Sequence, residues 1–505
     1  MKAVSKYSLF VFFIHIIYFS FSQEKNILLD RKFWKAQPTI EEVQAKIEDG
    51  HSPTAMTPYN FDATSYAILE KLPLETVKFL LDQGNDVNKL THDARTYIFW
   101  AAYKGNLALM NHLISKGAKP DIIDQHGYSL FMFAAVTGQE NQEIYDYIIE
   151  LGADVMTEKD RQSRNALLAY AGGTKTGSLV DYFINKGLDV HSTDKDGNGI
   201  FNHAARTGNV DLMKRLIQDY QVSIEKNEET NENAILFAST RYSRSGEESD
   251  LAFYQYLEGL GLDPAIVSKE GNTALLNLAS RSKNIELFQY FIDKGIDVNQ
   301  VNEEGDHALI KASSGRSKEI VALLANHTQD INHQNDEGIS SFTQALKFNK
   351  LEIAKLLVER GADVKVIDKK GHDLGYHLID AFRGKMSTFN EKMDYLISLG
   401  YDPLVIQKDG TTLLHAAVNK ENVDLLKSLV EMGMDINAKD GSGHTVLHYA
   451  AMQANDGKVL RYLVDAGADK NVTTEFDESA FDLAQSNEIL SKNNTDIGFL
   501  RTGGE

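Results

Sequence analysis

Residues 409–437, DGTTLLHAAVNKENVDLLKSLVEMGMDIN, and residues 442–471, SGHTVLHYAAMQANDGKVLRYLVDAGADKN, carry one pattern twice. Each holds a glycine turn, a Thr-x-Leu-His start, an alanine pair, a second apolar segment and a closing Gly-x-Asp. The frame recurs in GNTALLNLA (271–279), GYSLFMFAA (127–135) and GNGIFNHAA (197–205). Closing signatures recur as GNDVN (84–88), GADV (152–155), GLDV (187–190), GIDVN (295–299), GADV (361–364), GMDIN (433–437) and GAD (467–469), spaced by about 33 to 36 residues or by two or three times that. A fixed period of that size is the mark of a stacked repeat array.

The physics of one unit explains the pattern. Asn422 can accept a backbone N–H and cap a helix. Val423, Leu425, Leu426, Leu429 and Val430 then form an apolar stripe at helical spacing. Gly433 ends that helix, because glycine readily takes the left-handed conformation. A helix pair this small cannot bury its stripe alone and must stack on its neighbours. The pairs Ala416-Ala417 and Ala450-Ala451 allow the first helices to approach closely.

Over roughly residues 60–485 the chain resembles the ankyrin repeat family, whose first helix carries T-P-L-H-x-A. Thr412 and Thr445 take the threonine position, and His415 and His448 the histidine position. Other units keep only an apolar residue there: Phe131, Phe201, Leu275, Leu309 and Phe342. The resemblance implies an all-α solenoid of helix-turn-helix units joined by short β-hairpin-like turns, with about twelve repeats plus caps. Residues 23–60 are expected to form an N-terminal cap packed through Phe33, Trp34 and Val43, with 48–53 as its closing turn. Residues 61–474 form the array, and 475–505 a truncated C-terminal cap that dissolves into a flexible tail. Two units are enlarged, at 240–250 and 382–391, and both insertions are expected in loops.

Residues 1–22, MKAVSKYSLFVFFIHIIYFSFS, read as an export signal. Lys2 and Lys6 precede an apolar run from Leu9 to Phe21, and Ser20 and Ser22 suit cleavage before Gln23. The run is shorter than the roughly 20 residues of a spanning helix. Removing the two lysines takes the formal charge from −20 to −22. The mature chain is then expected in a bacterial periplasm or outside the cell, with no membrane span.

With 42% hydrophobic and 25% charged residues among 505, a substantial core is available. Seven prolines and 36 glycines favour helices ended by glycine. The negative charge argues against a nucleic-acid partner. The absence of cysteine excludes disulfides, thiolate metal sites and cysteine nucleophiles.

No motif calls for a cofactor or metal. Residues 194–199, DKDGNG, match half a calcium loop, but Ala205 stands where the bidentate carboxylate belongs, so a tight turn is expected. Lys175-Thr176-Gly177 copies one β-lactamase element without a Ser-Asp-Asn partner, and GGTKTGS (172–178) reads as an inter-helix turn. His372 and His377 lie near helical spacing with no further ligand evident. In the family the first-helix histidine is structural, which implies that role for His415 and His448.

The resemblance also implies a protein partner on the concave surface made by hairpin turns and first helices. The residue after each turn glycine projects near a hairpin tip: Tyr128, Asn198, Asn272, Asp306, Ile339, His372, Thr411 and His444. An exposed tyrosine or isoleucine there would make a contact anchor. The expected protein is a monomeric, non-catalytic scaffold. The rivals are an envelope glycan- or peptide-acting enzyme with a site in an enlarged loop, for which Glu247, Glu248 and Asp250 are the sole acidic cluster, and an effector or immunity-type binding protein.

Overall fold

A computed structural model describes residues 25–240, 250–315, 317–348 and 351–501. Among them are 28 α-helices and no strand beyond three isolated bridges, Thr193–Gly199, Gln334–Ser340 and Thr473–Ser479. The export segment, the sequence around Glu247 and Glu248, and the last four residues lie outside the described residues. The chain divides into two compact units, 1–189 and 190–505.

The first unit opens on the cap. A 3-10 turn, Ile27–Leu29, leads into Arg31–Lys35 and Ile40–Glu48. Trp34 and Val43 are fully buried, and the Trp34 indole N–H donates to Leu28 O at 2.9 Å. Phe33 is half-buried with its ring edge-on to Trp34. Four helix pairs follow, with first helices Ala63–Leu69, Tyr97–Tyr103, Leu130–Val136 and Ala166–Ala171. Each first helix packs on the next. They are too short to stand alone, and their side chains are buried almost all round. Phe131, Tyr145, Tyr170 and Phe183 interlock at centroid separations of 5.0 to 6.4 Å.

The second unit repeats this with first helices Ile200–Ala205, Ala234–Ser239, Ala274–Ala279, Ala308–Ser313, Ser341–Phe348, Leu374–Asp380, Leu413–Val418 and Val446–Gln453. Each again stacks on its successor. The second helices are amphipathic. In Val423–Glu431, Leu425, Leu426 and Leu429 are fully buried, and Asn422 Oδ1 accepts the Leu425 N–H at 2.8 Å. Twelve pairs in all agree with the period.

Two expectations change. Residues 382–391 do not form a loop beyond Lys385: Met386–Ser398 is a 13-residue helix, where the neighbouring second helices have nine. Phe389, Met393 and Leu396 extend the apolar stripe backwards, and Phe389 is buried against Phe382. The C-terminal stretch is also ordered up to residue 501. Helices Ala480–Ser486 and Glu488–Lys492 and the turn Gly498–Leu500 close the unit. Leu490 and Leu500 are buried, and the Asn487 amide donates to Ala451 O and Ala454 O of the preceding first helix. That amide supplies a donor to carbonyls a helix end leaves unpaired.

Candidate functional site: the hairpin tips and first helices

Most hairpins are built around one anchor residue four positions before the tip residue named from the sequence; at 402–411 Gln407 keeps only the backbone bond, and Asp409 Oδ1 accepts the Thr411 N–H. Asp440 shows the geometry. Its N–H donates to His444 O at 2.9 Å, and its Oδ1 accepts the N–H groups of Ser442 (2.8 Å) and His444 (2.9 Å). Asp124, Asp194, Asn335 and Asp368 do the same for Tyr128, Asn198, Ile339 and His372. The run DKDGNG is therefore a hairpin turn: Asp194 Oδ1 is engaged by the N–H groups of Asp196 and Asn198. Among the described residues no His/Cys/Asp/Glu group has the geometry to hold a metal ion.

Neighbouring tips are joined in a ladder. Glu303 N–H donates to Glu270 O, Asp336 N–H to Glu304 O, Lys369 N–H to Glu337 O and Gly441 N–H to Asp409 O, at 2.9 to 3.0 Å. The tip glycine makes that approach possible. Gly410 has φ +83°, and a Cβ there would lie 2.4 Å from Gly441 N. Gly433, which ends a second helix, has φ +96° but open space around it. Left-handed backbone is needed at both, while close packing is needed only at the tip.

The first helices are fastened to the hairpins in two ways. His415 Nδ1 accepts the Thr412 N–H at 3.1 Å, and Nε2 reaches His444 O at 3.2 Å. A carbonyl only accepts, so Nε2 carries the proton and the ring is neutral. His448 repeats this on Thr445 N and Val472 O, both at 3.0 Å. Burial lowers the pKa of both rings. This is the structural role the family resemblance implies. The second way uses a residue nine positions after the anchor. His203 Nε2 lies 3.1 Å from Asp194 Oδ2, Tyr449 OH donates to Asp440 Oδ2 at 2.7 Å, and Trp100 Nε1 donates to Thr91 Oγ1 at 2.7 Å. His377 Nε2 lies 3.3 Å from Asp368 Oδ2 without hydrogen-bond alignment. Burial, reinforced by the Lys347 charge, pulls His377 down to about 4.

The segment 172–178 is an inter-helix turn wrapped on a carboxylate. Glu140 accepts hydroxyl bonds from Tyr170, Thr174, Thr176 and Ser178 at 2.5 to 2.7 Å. Burial pushes the Glu140 pKa up, but the four donors outweigh it and the net shift is downward.

The tip residues are not equally available. Asn198, Asp306 and Ile339 are buried, at 3%, 5% and 6% exposure, so the expectation that Ile339 projects as an anchor does not hold. The next hairpin covers the first two: Asn227 Nδ2 donates to Asn198 Oδ1 at 3.1 Å, and Asn335 Nδ2 to Asp306 Oδ1 at 2.9 Å. Tyr128, Asn272, His372, Thr411 and His444 are half-buried. His372 stacks face to face on Tyr376, with ring centroids 3.6 Å apart. The fully presented apolar residues stand elsewhere, immediately before the anchors: Leu90, Ile123, Ile367 and Ile406, exposed by 54% to 63%. Their signal is an aliphatic residue one place before the anchor, recurring with the repeat.

Comparison with known proteins matches this architecture. The family model described as ankyrin repeats (3 copies) matches residues 65–159, 236–335, 276–368 and 384–474, more than half of the chain. Protein phosphatase 1 regulatory subunit 12A of Mus musculus is 39% identical over 77 residues, 15% of this chain and 7% of that protein. Palmitoyltransferase AKR1 of Lachancea kluyveri is 26% identical over 146 residues, 28% of this chain and 19% of that one. The chain thus spans less than a fifth of the length of either relative. The human ASB11 ankyrin repeat domain covers 46% of this chain and 95% of its own, at 21% identity and a TM-score of 0.36. On the extent of the family match, the chain belongs to the ankyrin repeat family.

Proposed function

We propose that this chain is an exported, non-catalytic scaffold that docks another protein on its hairpin tips and first helices. One observation carries the reading: the chemically active side chains of this surface are spent on architecture. Histidines and aspartates that could serve a reaction hold helix starts and turns, and the backbone ladder fixes the tips in place. What remains available is a row of repeated surface positions on a rigid frame, which suits contact with a macromolecule. The regulatory subunit among the relatives supports the same role.

Export rests on the pattern of residues 1–22. Among the described residues no helix is long and apolar enough to cross a membrane. The formal charge of −20 favours a protein over a nucleic acid as the partner. A monomer accords with stacking that is satisfied within the chain. The enzyme alternative draws no support from 382–391, where Phe389 and Met393 pack a helix instead of lining an open loop.

Affinity capture with residues 23–505 from the exporting compartment, read by mass spectrometry, tests the role. A saturable protein partner is expected. Turnover of an envelope glycan or peptide with no such partner would contradict it. N-terminal sequencing of the secreted chain should begin at Gln23, and retention of Met1 would overturn export by cleavage.

A further inference from the structure

The hairpins at 363–372, 402–411 and 435–444 carry a surface unlike the rest of the second unit. Ile367, Leu404, Val405 and Ile406 are exposed by 57%, 48%, 45% and 63%. In two other repeats the residue equivalent to Val405 is buried: Ile266 and Val366 are each 8% exposed. Here three consecutive aliphatic side chains face solvent. The hairpins touch one another at their tips, since a Cβ on Gly371 would meet Lys408 Cβ at 2.3 Å and one on Gly410 would meet Gly441 N at 2.4 Å. The exposed aliphatic residues thus stand on two hairpins that touch at their tips, and the third hairpin adds Lys439.

The charges around them differ from those on the preceding tips. Glu303, Glu304, Asp336 and Glu337 make the two preceding tips acidic, while Lys269 offsets Glu270 on the tip before them. The next three hairpins instead present Lys365, Lys369, Lys370, Lys408 and Lys439, all exposed. Lys369 has one distant carboxylate, Asp336 at 3.8 Å, and the other four enter no ion pair among the described residues. The aspartates of the same hairpins are engaged in the turns: Asp363, Asp368, Asp402, Asp409, Asp435 and Asp440 each accept backbone N–H groups of their own hairpin. Five lysines against six aspartates leave these three hairpins at −1 in total, where the hairpins 297–306 and 330–339 carry −4 and −3, and four of the lysine ammonium groups beside the aliphatic strip have no ion-pair partner among the described residues.

We infer that this strip docks an extended segment of a partner protein in which aliphatic and acidic side chains alternate. The aliphatic side chains would cover Ile367 and Leu404–Ile406, and the carboxylates would meet the lysines. Three hairpins stacked about 10 Å apart span roughly 20 Å, which an extended segment of about eight residues covers at about 3.3 Å per residue. The inference rests on the scaffold reading and adds the place and the chemistry of the contact.

The probe is a labelled octapeptide alternating glutamate and isoleucine, titrated into residues 23–505 by fluorescence anisotropy. Its control is the same peptide with lysine in place of glutamate. The glutamate peptide is expected to bind, more weakly as salt rises, and the lysine peptide not to bind. The double variant Ile367→Ser/Ile406→Ser and the triple variant Lys365→Glu/Lys408→Glu/Lys439→Glu should each weaken binding at least about tenfold. Both leave the melting midpoint within about a degree or two, because the replaced side chains are exposed. Equal binding of the two peptides, or variants that bind like the parent, would overturn the inference. So would parent chain that self-associates in sedimentation and loses this on Ile406→Ser, which would assign the strip to a second copy. A captured partner whose affinity ignores both variants sinks this site and leaves the scaffold standing, whereas absence of any captured partner sinks the scaffold.

Discussion

The corner at 440–448 and the corner at 368–377 do the same work with different parts. Both join a hairpin to the first helix that follows it. At 440–448 the histidine sits three residues into the helix, holds its own Thr445 cap and reaches a carbonyl of the next turn. At 368–377 there is no threonine. Asp373 caps the helix through Tyr376 N–H, and the histidine one place later lies against the anchor carboxylate. The corner needs a polar fastening, and which residue supplies it can vary. A search for the Thr-x-x-His motif therefore finds only the last repeats, although the others are fastened too.

The glycine contrast sets the largest expected effect. Gly410→Ala should cost about 3 kcal/mol, because it combines a left-handed backbone with a clash against Gly441 N. Gly433→Ala should cost about 1 kcal/mol, from the backbone alone. Urea denaturation of the two variants checks the ranking, and equal losses would remove the claim that tips touch. Asp368→Ala should follow at about 2 kcal/mol, since it strands the His372 and Lys370 N–H groups and removes the carboxylate beside His377. Thr412→Ala loses a single helix cap and should cost about 1 kcal/mol. If Asp368→Ala proved the milder of the two, the equivalence of the two fastenings would fail.

The smallest effect is a pH dependence. His415, His448 and His377 are all held below the ordinary histidine value, His377 at about 4. A lowered folded pKa means that the unfolded chain takes up the proton first as pH falls. Their contribution is complete above about pH 6.5 and is lost on descending through the folded values. The melting midpoint of the second unit should thus fall between pH 6.5 and 4. His377→Gln should flatten that fall, and an unchanged slope would mean that His377 takes no part in it.

Much of the fold could be read from the sequence because it is written locally. Asn422 as a cap, Gly433 as a terminator and Leu425, Leu426 and Leu429 as a buried stripe each depend on residues within one helix. The site was less legible because its exposure is decided between repeats. Nothing near Ile339 announces its burial, and Asn198 and Asp306 are covered by residues 29 positions away. The helix at Met386–Ser398 escaped for a related reason: FRGKMSTFNE holds glycine, serine and threonine, and only packing against Phe382 reveals Phe389 as part of a stripe. The fastening of anchor to helix, nine residues apart, was open to discovery as a recurring Asp-x8-His/Tyr, but that spacing belongs to no single element.

Hydrogen exchange of residues 23–505 with and without a captured partner tests the docking surface most directly. The account predicts added protection at the hairpins 363–372, 402–411 and 435–444 and at the first helices Leu374–Asp380, Leu413–Val418 and Val446–Gln453. Protection confined to second helices such as Val423–Glu431, with the hairpins unchanged, would contradict it.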